Sequence, residues 1–170
     1  MEKKIIGLIC PSDPKYSAKK KVEKILEKVS QIILEKDYSV IISPDKKSTA
    51  EKFAKIYKKQ GGNKLIGIMY ADDKIGGYPG LNRVICDKNI NCKTYELQPG
   101  VLVRKSDDIV CAGLSNGVFW EMCMVKYIWG KRKKSKVYVI KELVKKQIPK
   151  EIKKFVPIKY ISIKDLAKFI

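Results

Sequence analysis

A chain of 170 residues is long enough for one hydrophobic core of ordinary size and short for two, so a single domain over residues 1–170 is expected. The sequence has no histidine, which excludes serine and cysteine triads built on an imidazole base, and its 45% apolar content is that of a globular rather than a disordered chain. The net charge of +19 invites a nucleic-acid reading, yet arginine occurs only at Arg83, Arg104 and Arg132, and the lysines are spread over every segment. Dispersed lysine makes solvated helix faces, whereas bidentate recognition of phosphates and bases relies on arginine, so nucleic acid is not the favoured partner.

The apolar runs from Ile5 to Cys10 and from Val118 to Val125 are far shorter than the roughly 20 residues that cross a bilayer, and no membrane association is expected. Met1-Glu-Lys-Lys is unlike a secretory leader, and a cytoplasmic location is expected. Cys10, Cys86, Cys92, Cys111 and Cys123 are odd in number and show no C-x-x-C spacing, so neither a disulfide framework nor a metal site is anticipated, and no cofactor is implied.

In chain order, Lys4 to Cys10 reads as a buried strand ended by Pro11-Ser-Asp-Pro14. Ser17 to Lys36 carries Val22, Ile25, Leu26, Val29, Ile32 and Ile33 at helical spacing. Tyr38 to Ser43 is a second strand, and Ser48 or Thr49 caps a second helix that Gly61-Gly62 stops. Lys64 to Tyr70 is a third strand, followed by a long connection through Gly76, Gly77, Pro79 and Gly80. Arg83 to Asp87 and Cys92 to Glu96 read as short strand-like pieces, and Pro99 to Lys105 as a brief helix. Asp108 to Ala112 is the next strand, Val118 to Trp129 an apolar helix, and Lys136 to Ile140 a further strand. The tail is expected to hold a helix near Val144 to Phe155, a strand from Lys159 to Ser162, and a last helix begun by Ser162.

Strands alternating with helices imply parallel βαβ units, hence a Rossmann-like three-layer α/β sandwich around a mostly parallel sheet. Ligands of such sheets settle outside the carboxyl ends of the strands, which directs attention to the loops at 10–14, 43–48, 70–82 and 112–118. In the last of these, Gly113-Leu-Ser-Asn-Gly117 joins a strand to a helix whose amino terminus favours an anion. Ser115 and Asn116 add hydrogen-bonding groups there, either of them serving as the helix cap, and Gly117 permits close approach.

Glu121 stands in Val118-Phe-Trp-Glu-Met-Cys-Met-Val125, with Val118, Met122, Met124 and Val125 on its own face and no basic residue three or four positions away. Burying such a carboxylate is costly, so it faces either a cleft or a lysine brought from elsewhere in the fold. Arg104 precedes a buried strand and suits either a phosphate or carboxylate, or a surface ion pair beside Asp107.

From Arg104-Lys105 through the following strand to Gly113-Leu-Ser-Asn-Gly-Val-Phe-Trp-Glu121, the chain resembles the LOG-like superfamily, also called lysine-decarboxylase-like or SLOG Rossmann proteins. Members of that family carry an Arg-Lys pair, an apolar strand and then P-G-G-x-G-T-x-x-E. Gly117 falls on the third glycine, Glu121 on the glutamate and Arg104 on the arginine. Gly113 stands in place of the proline, Leu114 and Ser115 in place of the glycine pair, and Val118 in place of the threonine.

The resemblance implies a nucleotide or nucleotide-derived phosphorylated metabolite as ligand, held at Ser12, Gly113, Ser115, Asn116 and Gly117. The altered motif points to a non-catalytic or weakly active protein. The alternative it implies is a nucleoside 5′-monophosphate phosphoribohydrolase cleaving the N-glycosidic bond, with Glu121 and Arg104 catalytic. A lysine-rich nucleic-acid-binding protein is the third reading. A homodimer is expected, because the helix from Val118 has more apolar surface than one sheet face needs.

Overall fold

The computed structural model describes residues 4–70, 80–128 and 135–170. Seven parallel strands form one sheet: β1 (Ile5–Ile9), β2 (Ser39–Ile42), β3 (Leu65–Met69), β4 (Lys88–Asn91), β5 (Asp108–Cys111), β6 (Lys136–Ile140) and β7 (Ile158–Ile161), in the spatial order β4-β3-β2-β1-β5-β6-β7. Apolar, β-branched runs such as Ile5–Ile9 and Lys136–Ile140 are buried along most of their length, as strands covered on both faces must be. The expected Rossmann-like α/β architecture is therefore the observed one.

One face is covered by α2 (Lys20–Glu35), α3 (Thr49–Lys59) and the short α7 (Leu166–Phe169), with Leu26, Ile33, Phe53 and Tyr57 fully buried against the sheet. The other face carries α4 (Gln98–Lys105) and α5 (Asn116–Tyr127), where Leu102, Val118 and Met122 pack on Ile109 and Val137. Two further short helices, α1 (Pro14–Ser17) and α6 (Lys150–Lys153), lie in connections. No helix among the described residues is long and apolar enough to cross a membrane.

Three stretches differ from the sequence-based expectation. The strand in the 83–96 region is β4, which lies between the two predicted pieces, and Tyr95–Leu97 forms a 3-10 turn. Lys-Asn-Ile-Asn carries no apolar alternation because β4 is an edge strand with mostly exposed side chains, while Val84 in the predicted piece is 92% exposed. The tail forms helix only at Lys150–Lys153. Pro149 precedes it, and Val144 and Ile148 are buried from irregular backbone. The last helix starts at Leu166, with Ser162 Oγ donating to Asp165 Oδ2 at 2.7 Å in the turn before it. Gly76, Gly77, Pro79 and Trp129 lie outside the described residues.

Helix α4 crosses β1 closely. A Cβ at Gly7 would sit 2.3 Å from Ser106 Oγ and 3.1 Å from Leu102 Cδ2. Ser106 is fully buried and donates to the Leu102 carbonyl at 2.7 Å, while its own carbonyl accepts from Ser135 Oγ at 2.8 Å, so it is not free to swing aside. Gly7→Ala is expected to cost about 2 kcal/mol of stability through overpacking. The measurement is the urea midpoint, which should fall at unchanged denaturant slope.

Candidate functional site

Strand order reverses at β1: the chain builds outward to β4 on one side, then returns to add β5, β6 and β7 on the other. The connections leaving the carboxyl ends of β1 and its neighbours therefore diverge, and a cleft with a small enclosed volume of about 40 Å³, widening into open solvent, lies between them. Cys10 and Ser12 line it from the end of β1, and Ser43 and Asp45 from the loop after β2. The first turns of α3 (Ser48, Ala50) and α5 (Ser115, Gly117, Val118) reach it, and Tyr95, Gln98, Trp120 and Glu121 complete its wall.

Both long helices that begin here are capped by serine. Ser48 Oγ accepts from Glu51 N at 3.1 Å and Ser115 Oγ from Val118 N at 3.3 Å. Helix starts leave first-turn amides without intrahelical partners and carry positive dipole ends, so this part of the cleft favours an acceptor or an anion. Gly117 is open: a Cβ there would meet only Ser115 Oγ, at 3.9 Å.

Among the described residues, the charged side chains in the lining are two carboxyls. Asp45 Oδ2 accepts from Ser12 Oγ at 3.2 Å, and Asp45 Oδ1 from Ser43 Oγ at 3.1 Å. Its loop is laced to the 80–82 segment by Lys46 N to Gly80 O (2.9 Å) and Asn82 N to Pro44 O (2.8 Å). Asn82 also donates to Glu51 at 2.8 Å, which ties that segment to α3. Glu121, half-buried, accepts from the buried amide of Gln98 at 3.2 Å. Burial, with the negative charge of Asp45 adding to it and the Gln98 hydrogen bond opposing, pushes the Glu121 carboxyl up to about 8.

Among the described residues no lysine lines the cleft, in a chain of net charge +19. Glu121 pairs, among the described residues, with Gln98 and with no lysine. No group of three or more potential metal ligands converges among the described residues. The thiols here are poor nucleophiles: burial raises Cys10 well above the ordinary thiol range and holds Cys111 near 12.

Of the residues singled out in the sequence, Ser12, Ser115, Gly117 and Glu121 meet in this cleft. Gly113 and Asn116 do not line it. Gly113 has φ +140°, and a Cβ on it would lie 2.5 Å from Tyr16 Oη, whose hydroxyl donates to the Ala112 carbonyl at 2.9 Å. That glycine seats a tyrosine. Asn116 is the exposed first residue of α5, the cap being Ser115. Leu114 packs into the core beneath α5 instead of filling the cleft.

Arg104 is not brought to Glu121. It is exposed in the last turn of α4, whose first residue, Gln98, is the one that touches Glu121; six residues of helix, about 9 Å, separate the two. Sequence reasoning missed Asp45, Tyr95, Gln98 and Trp120. An acid in a strand-to-helix loop was a usable signal for Asp45. Tyr95 and Gln98 arrive from a distant crossover and had none.

Fold and cleft together define a Rossmann-like α/β protein with a polar site at its topological switch point. No model of a known protein family matches the sequence, and no curated protein matches it. Solved structures do. The molybdenum cofactor binding protein from the phototrophic bacterium Rippkaea orientalis is 18% identical with a TM-score of 0.69, over 99% of this chain and 95% of that one. The molybdenum cofactor carrier protein from Chlamydomonas reinhardtii is 15% identical with a TM-score of 0.69, over 98% and 95%. A UDP-GlcNAc 2-epimerase from Methanocaldococcus jannaschii, in complex with UDP-GlcNAc and UDP, is 17% identical with a TM-score of 0.51, over 98% of this chain and 37% of that one. At these identities the likeness establishes the shared fold.

The position of Glu121 has a measurable consequence. Unfolded, this carboxyl titrates near 4.5; folded, near 8. Between those values the folded protein holds a proton the unfolded chain has lost, so this group's contribution to stability is full at low pH and declines as pH rises through 8. Urea titrations of wild type and Glu121→Gln should show wild type losing on the order of 1–3 kcal/mol relative to the variant between about pH 5 and pH 8.5. Parallel pH profiles would mean that Glu121 is not proton-linked to folding.

Proposed function

We propose that this chain binds a phosphorylated, nucleotide-like small molecule in the cleft, as a non-catalytic or weakly active protein of LOG-like type. The observation that carries the reading is the meeting of two serine-capped helix starts with the open backbone of Gly117 at the point where strand order reverses. Such an arrangement stabilises a phosphate without basic side chains. In support, proteins of the same fold are named for binding the molybdenum cofactor, and the epimerase structure holds UDP-GlcNAc and UDP.

Two features favour binding over N-glycosidic hydrolysis. A carboxyl that titrates near 8 is largely protonated at neutral pH and serves as a hydrogen-bonding group, whereas oxocarbenium stabilisation or water activation needs the carboxylate. Arg104, the residue that the family pattern pairs with Glu121, sits at the other end of α4. The expected homodimer is part of this proposal: α5 leaves Trp120 36% and Tyr127 56% exposed, and light scattering should return twice the mass of one chain.

The test is calorimetry with nucleoside monophosphates, with chromatography of the incubated mixtures for free base. Saturable binding with no base released is the expected result. Gly117→Leu adds a side chain that has room in the empty fold but occupies the cleft. It should weaken binding at least about tenfold while leaving the thermal midpoint within a few degrees of wild type. Unchanged affinity in that variant would remove the cleft as the binding site, and base release that disappears in Glu121→Gln would restore the hydrolase reading.

A further inference from the structure

The lining of the cleft changes character along α5. Its first turn offers amides, a serine oxygen and the open Gly117; one turn on, Trp120 and Glu121 face the same space together with Tyr95 and Gln98. Gly117 and Glu121 are four residues apart, about 6 Å along the axis. That is the kind of reach from a phosphate to the ring it is attached to through a sugar or short linker.

The wall at the second position is rigid and aromatic. Tyr95 stands edge-on to Trp120 with ring centroids 5.8 Å apart, and Tyr70 stands edge-on to Tyr95 at 5.4 Å, so the two wall rings are held in a ladder. Beside them Gln98, only 5% exposed, holds the Glu121 carboxyl by donating to Oε1 at 3.2 Å. A flat ring resting on this wall has the Glu121 carboxyl at its edge, and among the described residues no lysine or arginine lines the cleft.

Resting on the ligand-binding reading above, we infer that the cleft selects a heterocycle whose edge presents two adjacent N–H donors, the 2-amino-4-oxopyrimidine edge shared by guanine and pterins, with Glu121 as the specificity-determining residue. The two donors of that edge, one ring N–H and one amino N–H, match the two oxygens of a carboxylate. Adenine places a ring acceptor beside its amino group, and hypoxanthine lacks the amino group, so each leaves a carboxyl oxygen opposite a lone pair or unpaired. Stacking on the aromatic wall contributes for every base and sets affinity without discrimination.

The same contact makes binding pH-dependent. Two N–H donors favour the ionised carboxyl, so a guanine ligand draws a proton off Glu121, and its affinity rises from pH 6 towards about pH 8. Among the described residues, the other titratable groups that interact with Glu121 are Asp45, the Cys10 and Cys111 thiols and the Tyr95 phenol. Burial holds the thiols and the phenol above their ordinary ranges, out of this window.

The experiment is calorimetry on the full chain with GMP, IMP, AMP and neopterin, in wild type, Glu121→Gln and Trp120→Leu, each variant checked for an unchanged thermal midpoint. GMP should bind at least about tenfold more tightly than IMP or AMP. In Glu121→Gln the GMP:IMP ratio should fall to within about twofold with AMP affinity retained, whereas Trp120→Leu should weaken GMP and AMP alike. GMP affinity should rise from pH 6 to 8 relative to AMP, which carries the same phosphate. With guanosine added as the phosphate-free match to neopterin, neopterin bound more tightly than guanosine identifies a pterin as the source of the ring, and the reverse order a guanine nucleotide; either order supports the inference. IMP or AMP binding as well as GMP, or a GMP preference that survives Glu121→Gln, would overturn it while the ligand-binding reading stands. If none of the probes binds saturably, both fall.

Discussion

The reversal of strand order at β1 is the constraint from which the site follows. The connection after β2 turns towards α3, on one face of the sheet, and the one after β5 towards α5, on the other. Both helices start at the carboxyl edge, on either side of the end of β1. A cleft there is a geometric product of the topology, and its polarity is inherited from helix starts, whose first amides have no partners within the helix.

The carboxyl groups are less easily explained by stability. Glu121 lies half-buried in a helix otherwise given over to packing, across the cleft from Asp45, and among the described residues it has no cationic partner. A hydrophobic side chain in its place would pack at lower cost, since unpaired buried charge is among the more expensive features a fold carries. The fold accommodates it by protonation and by the Gln98 hydrogen bond. Around Asp45 the serines at 12 and 43 and the lacing of the 80–82 segment hold the loop in position. Such ordering around an unfavourable charge accords with the ligand-binding proposal.

Charge elsewhere follows another rule. Among the described residues, lysines on helix faces and strand ends pair with Glu23, Asp87 or Asp165 or lie over Tyr38, Phe155 and Phe169, and none lines the cleft. The net charge of +19 therefore describes the surface and gives little information about the site.

Local physics was legible in the chain. Periodic burial in Lys20–Glu35, the apolar strands at Ile5–Ile9 and Lys136–Ile140, the serine caps and the isolated acid at Glu121 all follow from residue type and spacing, because each depends on neighbours within a few positions. Where burial gave no pattern, as in the polar edge strand Lys88–Asn91, the reading slipped by several residues. The motif singled out Ser115, Gly117 and Glu121, and the loop after the first strand Ser12, and all four line one cleft; the sequence could not show that Gly113 serves Tyr16 or that α4 carries Arg104 away from the site while delivering Gln98 to it. Those assignments belong to the tertiary structure, because they depend on which end of a helix meets which strand, and that is set by crossovers between residues far apart in the chain.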